Sequence, residues 1–375
     1  MKNFKAAYIR RGLAFSMLSL SLMASLAACA GQTPAGSPAA ATVAGDDSHT
    51  APGDTAGKKR KLLIDTDTGA DDASALILAA MDPDVEIVGV TVLVGNVDLP
   101  QSTRNALMAL EICGSDVPVY MGSADTFNGV EKTAFSVFGN DGMGDAGIIN
   151  PSGSAQKGDA IDFITKTVRD NPGEIEIVAL GPATNIAKAI QRDPEGMKNV
   201  KRIWSMGTAG LGPGNASPVA EFNVYADAEA YKIMLDSGLP ITVTGLDMCD
   251  GEAQWTDEQF ERLQKAGETG KFVAASFGKI RDFYKSNGSE SVMNCDSLSM
   301  MCVLFPDFVR SGINTHASCI TAEGETYALV LFYKEGFTYD AAPNVEPHNV
   351  RLITEVDKTH YFDRYLSCIS GAAGK

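Results

Sequence analysis

Nine consecutive residues, Asp65-Thr66-Asp67-Thr68-Gly69-Ala70-Asp71-Asp72-Ala73, carry four carboxylates just where the apolar run Leu62-Leu63-Ile64 gives way to a turn and a helical pattern. Carboxylates packed this closely repel one another, and a hard cation that accepts several oxygen ligands relieves the repulsion while keeping them ionised. The first expectation is therefore a divalent metal at the C-terminal end of a strand. Asp71 and Asp72 would also suit the positive end of a following helix. That explanation covers acids in a first turn and leaves Asp67 without a reason.

The elements that must position these groups alternate along the chain. Apolar, strand-like runs at 62–66, 86–94, 175–180, 200–206 and 240–246 are separated by helical patterns at 71–81, 101–113, 158–170, 184–192 and 226–237. Buried β-branched strands alternating with helices imply an α/β protein with an open, mainly parallel sheet covered by helices on both faces, a Rossmann-like core. Ligands of such sheets bind beyond the carboxyl ends of the strands. Here those ends offer Asp67, Asn96, Leu180 to Asn185, Met206 and Asp247, with little Lys or Arg, so the expected ligand is neutral and rich in hydroxyls. Later elements are a helix from about 257 to 285, another starting near Asp296, and strands near 317–321, 327–333 and 350–355. The glycine-rich segment Phe138-Gly139-Asn140-Asp141-Gly142-Met143-Gly144-Asp145 lacks the Lys and Ser/Thr of a phosphate-binding loop and reads as a mobile loop near the site.

Composition bounds the rest. A net charge of −16 argues against nucleic acid as a partner, since phosphate backbones are bound through Lys and Arg. Lys2, Lys5, Arg10 and Arg11 precede the apolar run 13–26, which is short for a membrane span, and Leu26-Ala27-Ala28-Cys29 follows. That ending resembles the lipobox of bacterial lipoproteins. Residues 1–28 are then a signal peptide, and Cys29 is the lipidated first residue of an exported, membrane-anchored protein. The Ala/Gly/Pro/Ser/Thr-rich stretch 29–58 reads as a flexible tether, and 59–375 as one catalytic domain. Six further cysteines, at 113, 249, 295, 302, 319 and 368, show no metal-binding spacing and read mostly as buried thiols.

Four ordered motifs give a resemblance. Asp65 to Ala73, Thr91-Val92-Leu93-Val94-Gly95-Asn96-Val97 with Thr103-Arg104-Asn105-Ala106, Gly181-Pro182-Ala183-Thr184-Asn185-Ile186-Ala187, and Gly214 to Asn223 together resemble the nucleoside hydrolases, calcium-dependent N-ribohydrolases preferring inosine or uridine. The resemblance implies the nucleoside hydrolase fold and hydrolysis of the N-glycosidic bond of a ribonucleoside, or a related N-riboside, to base and ribose. It implies Ca²⁺ held by Asp67, Asp72, Asp296 and the carbonyl of Leu180, with Asp67 taking the proton of a calcium-bound water. Asp71, Asn96, Asn215, Glu221 and Asn223 would hydrogen-bond the ribose, whereas Asn185 reads as structural. A homo-oligomer is compatible with this reading.

The chain also departs from the family pattern. Thr68 stands where Pro is usual, Phe138 where the glycine-rich loop often has His, and Cys295 where a His before the last calcium-binding aspartate helps protonate the departing base. Cys295 is then a weak candidate acid. Asp282-Phe283-Tyr284 sits where the family lines the base pocket, and Trp255 is another candidate to stack on the base. The competing readings are a haloacid-dehalogenase-like phosphatase, for which Asp65-Thr66-Asp67 would be the first motif, and a ribonucleoside-binding lipoprotein without turnover.

Overall fold

The computed structural model describes residues 58–129, 132–334 and 348–370. The expected signal, Cys29 and nearly all of the tether lie outside the described residues. In chain order the strands are β1 (Arg60–Thr66), β2 (Val85–Val92), β3 (Val119–Met121), β4 (Ile175–Ala179), β5 (Arg202–Met206) and β6 (Ile241–Thr244). They continue with β7 (Trp255–Thr256), β8 (Ser291–Val292), β9 (Val309–Thr315), β10 (Ala317–Cys319), β11 (Val330–Phe332) and β12 (Val350–Val356).

Eight of these strands form one sheet in the order β3-β2-β1-β4-β5-β6-β12-β9, parallel except for β9, which runs antiparallel to β12. Alternation along each strand divides its side chains between two cores. Leu62, Ile64, Val178, Trp204 and Met206 join one core, with the helices Ala70–Ala80, Leu99–Ile112 and Cys295–Leu304. Leu63, Ile177, Ala179 and Ile203 join the other, with the helices Ala160–Asp170, Thr184–Arg192 and Ala228–Asp236. Burial on both faces explains why the strands read as nearly continuous apolar runs.

The first half of the chain winds outward from β1 to β3, and the second half starts again beside β1 at β4. Strand order therefore reverses between β1 and β4, and helices leave their two carboxyl ends on opposite faces. The crevice opened there is the usual ligand site of such sheets. Residues 67 and 180 flank it directly.

Several expectations change. Edge strands β3 and β9 were not anticipated, because β3 is three residues long and β9 is Val-Arg-Ser-Gly-Ile-Asn-Thr, too polar and exposed to signal a strand. The segment β10-β11 forms its own two-stranded hairpin. The single helix expected over 257–285 is three: Asp257–Gln264, Gly267–Ser276 and Gly278–Ser286. Gly267, at φ +83°, sets the first break. Trp255 is not a base platform: it is buried among Phe260, Phe277, Tyr361, Phe362 and Tyr365.

Candidate active site

Asp67 follows β1 and is fully buried. The backbone N–H of Asn96, at the end of β2, donates to its Oδ2 at 2.7 Å. Two glycines make room for the carboxylate. A Cβ on Gly95 would stand 2.0 Å from Asp67 Oδ2, and one on Gly181 would stand 2.6 Å from Oδ1. Oδ1 itself is buried and has no hydrogen-bond partner among the described residues.

Asp71 and Asp72 occupy the first turn of the helix Ala70–Ala80. Asp72 reaches back to the N–H of Gly69 at 2.9 Å, as an acid at the third helical position can. It also accepts from Thr66 Oγ1 at 2.6 Å and Asn96 Nδ2 at 3.0 Å. Asp296 stands in the first turn of the helix Cys295–Leu304. Two helix N-termini thus face one cluster of negative charge, an arrangement their dipoles favour. Oxygens of Asp71, Asp72 and Asp296 lie within 4.8 Å of one another.

Without a counter-charge this cluster resists ionisation. Burial first, then repulsion from Asp72, pushes Asp71 up to about 8 and Asp67 and Asp296 well above the usual carboxylate range. Burial raises Asp72 too, opposed by its hydrogen bonds from Thr66 and Gly69. Asp71 Oδ1, like Asp67 Oδ1, is buried without a partner. Hard oxygen donors, like-charge crowding and two orphaned carboxylate oxygens fit a divalent cation.

The cluster borders a cavity of about 170 Å³. Asp71, Asn96, Leu180, Asn215, Glu221, Asn223, Cys295 and Asp296 all line it, whereas Asp67 and Asp72 lie behind its wall. Among the described residues no Lys, Arg or His lines it. Glu221 caps the helix Phe222–Ala226, accepting from the N–H groups of Asn223, Val224 and Thr208. Burial nevertheless pushes its carboxyl up to about 7. Thr208 makes its contact from φ +73°, a strained conformation for a β-branched residue beside a ligand cavity. Asn215 Oδ1 accepts from Phe222 N, so it braces the loop while facing the cavity.

Asn223 Nδ2 donates to the carbonyls of Leu180 at 2.7 Å and Met206 at 3.3 Å, tying together the ends of β4 and β5. Sequence reasoning gave this side chain to the ribose and missed its hold on the Leu180 carbonyl. Gly95 and Gly181 were also missed, although their places inside the quoted motifs were the available signal.

The rest of the cavity wall is largely apolar, with Val137, Phe138, Leu246, Ile280, Phe283, Tyr284 and Met293. Phe138 opens the glycine-rich loop and lies against Gly69. Asn105 holds that loop to the β1 turn, donating to the carbonyls of Thr68 and Asp141 at 2.9 and 2.8 Å. Cys295 also lines the cavity. The neighbouring Cys249 and burial push its thiol far above the ordinary thiol range. All six cysteines among the described residues are free thiols, Cys113 and Cys368 only half-buried.

Two other groups are settled by position. Asn185 is fully buried, donating to Asp65 Oδ1 and accepting from Ser123 N, which is a structural role. Asp65 also accepts from Thr91 at 2.5 Å and does not face the cavity. The phosphatase alternative therefore lacks an accessible nucleophile.

Comparison with known proteins agrees with this geometry. The family model described as inosine-uridine preferring nucleoside hydrolase matches residues 62–363. Uridine nucleosidase 1 of Arabidopsis thaliana is 39% identical over 258 residues, covering 68% of this chain and 77% of that protein. A plant nucleoside hydrolase structure superposes with a TM-score of 0.79 at 29% identity, covering 84% of this chain and 99% of the other. A purine-preferring ribonucleoside hydrolase from Gardnerella vaginalis superposes with a TM-score of 0.76 at 27% identity, covering 84% and 99%.

Proposed function

The chain belongs to the inosine-uridine preferring nucleoside hydrolase family and is a nucleoside N-glycosidase, and from that premise we propose how its residues divide the work. Asp67, Asp72, Asp296 and the Leu180 carbonyl would hold Ca²⁺, which when bound supplies the charge that keeps these carboxylates ionised and makes water acidic enough to attack near neutral pH. Asp71 lies close enough to Asp72 and Asp296 to join them.

Asp67 Oδ1 takes the proton of the attacking water, which adds to the anomeric carbon as the C–N bond breaks. Asn96, Asn215, Glu221 and Asn223 grip the ribose hydroxyls, with Asp71 shared between sugar and metal. Fixing the ring matters because cleavage passes through an oxocarbenium-like state, which nearby carboxylates stabilise and orientation promotes. Phe138, Phe283 and Tyr284 receive the base against the apolar wall, which excludes water from the breaking bond. The base departs without strong acid assistance, since the neighbouring Cys249 and burial hold the Cys295 thiol far above the ordinary thiol range.

One observation carries the reading: buried, mutually repelling carboxylates, two of them with orphaned oxygens, gather in and behind the wall of a cavity that no basic side chain lines among the described residues, at the switch point of the sheet. Release of base and ribose from a panel of purine and pyrimidine nucleosides tests it, run with and without a chelator. Full turnover in a metal-free preparation would refute the calcium assignment, and no turnover on any member would favour a ribonucleoside-binding role. We also propose that lipidation at Cys29 anchors the enzyme outside the cytoplasm. Labelling with a fatty-acid analogue, lost in Cys29→Ser, checks that assignment.

A further inference from the structure

The acid cluster is assembled from two helices far apart in the chain, so their relative placement sets the spacing of its carboxylates. Deeper along the seam between them, Ser74 Oγ lies 2.6 Å from Ser297 Oγ. It donates to Tyr365 Oη at 2.7 Å and accepts from Asn294 Nδ2 at 3.1 Å, while Tyr365 Oη donates to the Ser74 carbonyl at 3.4 Å. A serine hydroxyl has one proton, so with its own given to Tyr365, Ser74 accepts from Ser297. Tyr361 Oη donates to the carbonyl of Asn294 at 2.9 Å. Asn294 is the N-cap of the helix that carries Asp296. The five side chains of this network are essentially solvent-free.

Both phenols come from a third helix, Tyr361–Ile369, where positions four apart share a face. That helix touches neither the cavity nor the cluster. We propose that Tyr361 and Tyr365 are positioning residues for the metal site: they pin the Ser74–Ser297 seam and so fix the separation of Asp71 and Asp72 from Asp296. This inference rests on the metal reading above. Its physical basis is that a buried network with every member satisfied has one low-energy arrangement, whereas deleting a hydroxyl leaves a buried partner free to re-pair and the helices free to shift. A cation needing several oxygens at fixed distance feels such a shift directly.

The test is a Ca²⁺ titration of the metal-stripped full chain, read as the rise in Tm, for wild type, Tyr365→Phe, Tyr361→Phe and Ser297→Ala. Trp204→Phe is the reference, since it loses a buried hydrogen bond to Glu176 outside the seam. We expect the half-saturating Ca²⁺ concentration to rise about tenfold in the seam variants, the low end of the range for outer-shell partners of a metal site, and to stay at the wild-type value in Trp204→Phe. The kcat at limiting Ca²⁺ should fall in the same proportion and recover at saturating Ca²⁺. Seam variants that lose Tm yet keep the wild-type half-saturation point overturn the clamp while leaving the metal reading intact. A wild type with no Ca²⁺-dependent rise overturns the metal reading, and the clamp with it.

Discussion

Gly95→Ala is the sharpest probe of the catalytic assignment, because it adds one methyl group to the wall behind Asp67. Gly95 does not adopt a left-handed conformation, so alanine suits its backbone and only space is at issue. The new Cβ would stand 2.0 Å from Asp67 Oδ2, 2.6 Å from Cγ and 2.7 Å from the Asp67 Cβ. Ordinary contact needs roughly 3.4 Å or more, so the carboxylate must move by over about 1 Å or the strand end must yield. Gly181 packs against Oδ1 from the other side, and the 2.7 Å bond from Asn96 N is lost in either case. A misplacement of about 1 Å costs on the order of a hundredfold in rate, and losing a general base altogether costs about 10²–10⁴. The expected result is a fall of about 10²–10³ in kcat/KM, carried by kcat, with about 1–3 kcal/mol of lost stability from overpacking. Initial rates of base release on uridine and inosine, beside thermal denaturation to establish folding, measure both. Gly153→Ala is the control, since its Cβ would meet only Leu107 Cδ2 at 3.8 Å. A folded Gly95→Ala protein with near-normal kcat/KM would refute the role given to Asp67.

Asp67→Ala should lose more than about a hundredfold in kcat, whereas Asn223→Ala should raise KM and, by releasing the Leu180 carbonyl, weaken Ca²⁺ binding; equal effects on kcat alone would argue against this division. Cys295→Ala should slow natural nucleosides and p-nitrophenyl riboside alike and by less than about tenfold, because a working general acid is worth about 10²–10⁴; a selective loss on natural nucleosides would make the thiol the proton donor. Glu176 gives a pH prediction remote from the cavity, at the start of β4. Burial pushes its carboxyl up, but the forked bond from Arg60, with Trp204 and Lys201, prevails and holds it at about 2. A folded value below the unfolded one means stability that is present above about pH 4.5 and lost as pH falls towards 2, worth roughly 2–3 kcal/mol after allowing for the partly exposed Arg60 and Lys201. Glu176→Gln should therefore be less stable than wild type at pH 7 and converge with it near pH 2, with kcat unchanged at neutral pH. A stability difference that does not vary with pH would contradict that origin.

The strand-turn-helix unit from Leu62 to Ala80 was legible because its information is local. Continuous burial of β1, the acids of the first helical turn and the single glycine of the turn, Gly69, all lie within twenty residues, and hydrophobic period reports such elements directly. The same holds for the parallel sheet, since strand-helix alternation leaves few topologies. The ordered motifs also named Asp71, Asn96, Asn215, Glu221 and Asn223, which now line one cavity.

What the sequence could not decide was which of these side chains meet. Asp72 and Asp296 lie more than two hundred residues apart, and their approach depends on strand order and on how two helices pack across one face of the sheet. Nothing local distinguishes Asp71, which converges with them, from Asp67, which sits behind the wall beneath two glycines. Nor does it distinguish Trp255, locked in an aromatic core, from Phe283 and Tyr284, which line the cavity. Periodicity records how deeply a residue is buried, whereas a functional site depends on direction and distance between non-neighbours, and those are set only when the elements pack.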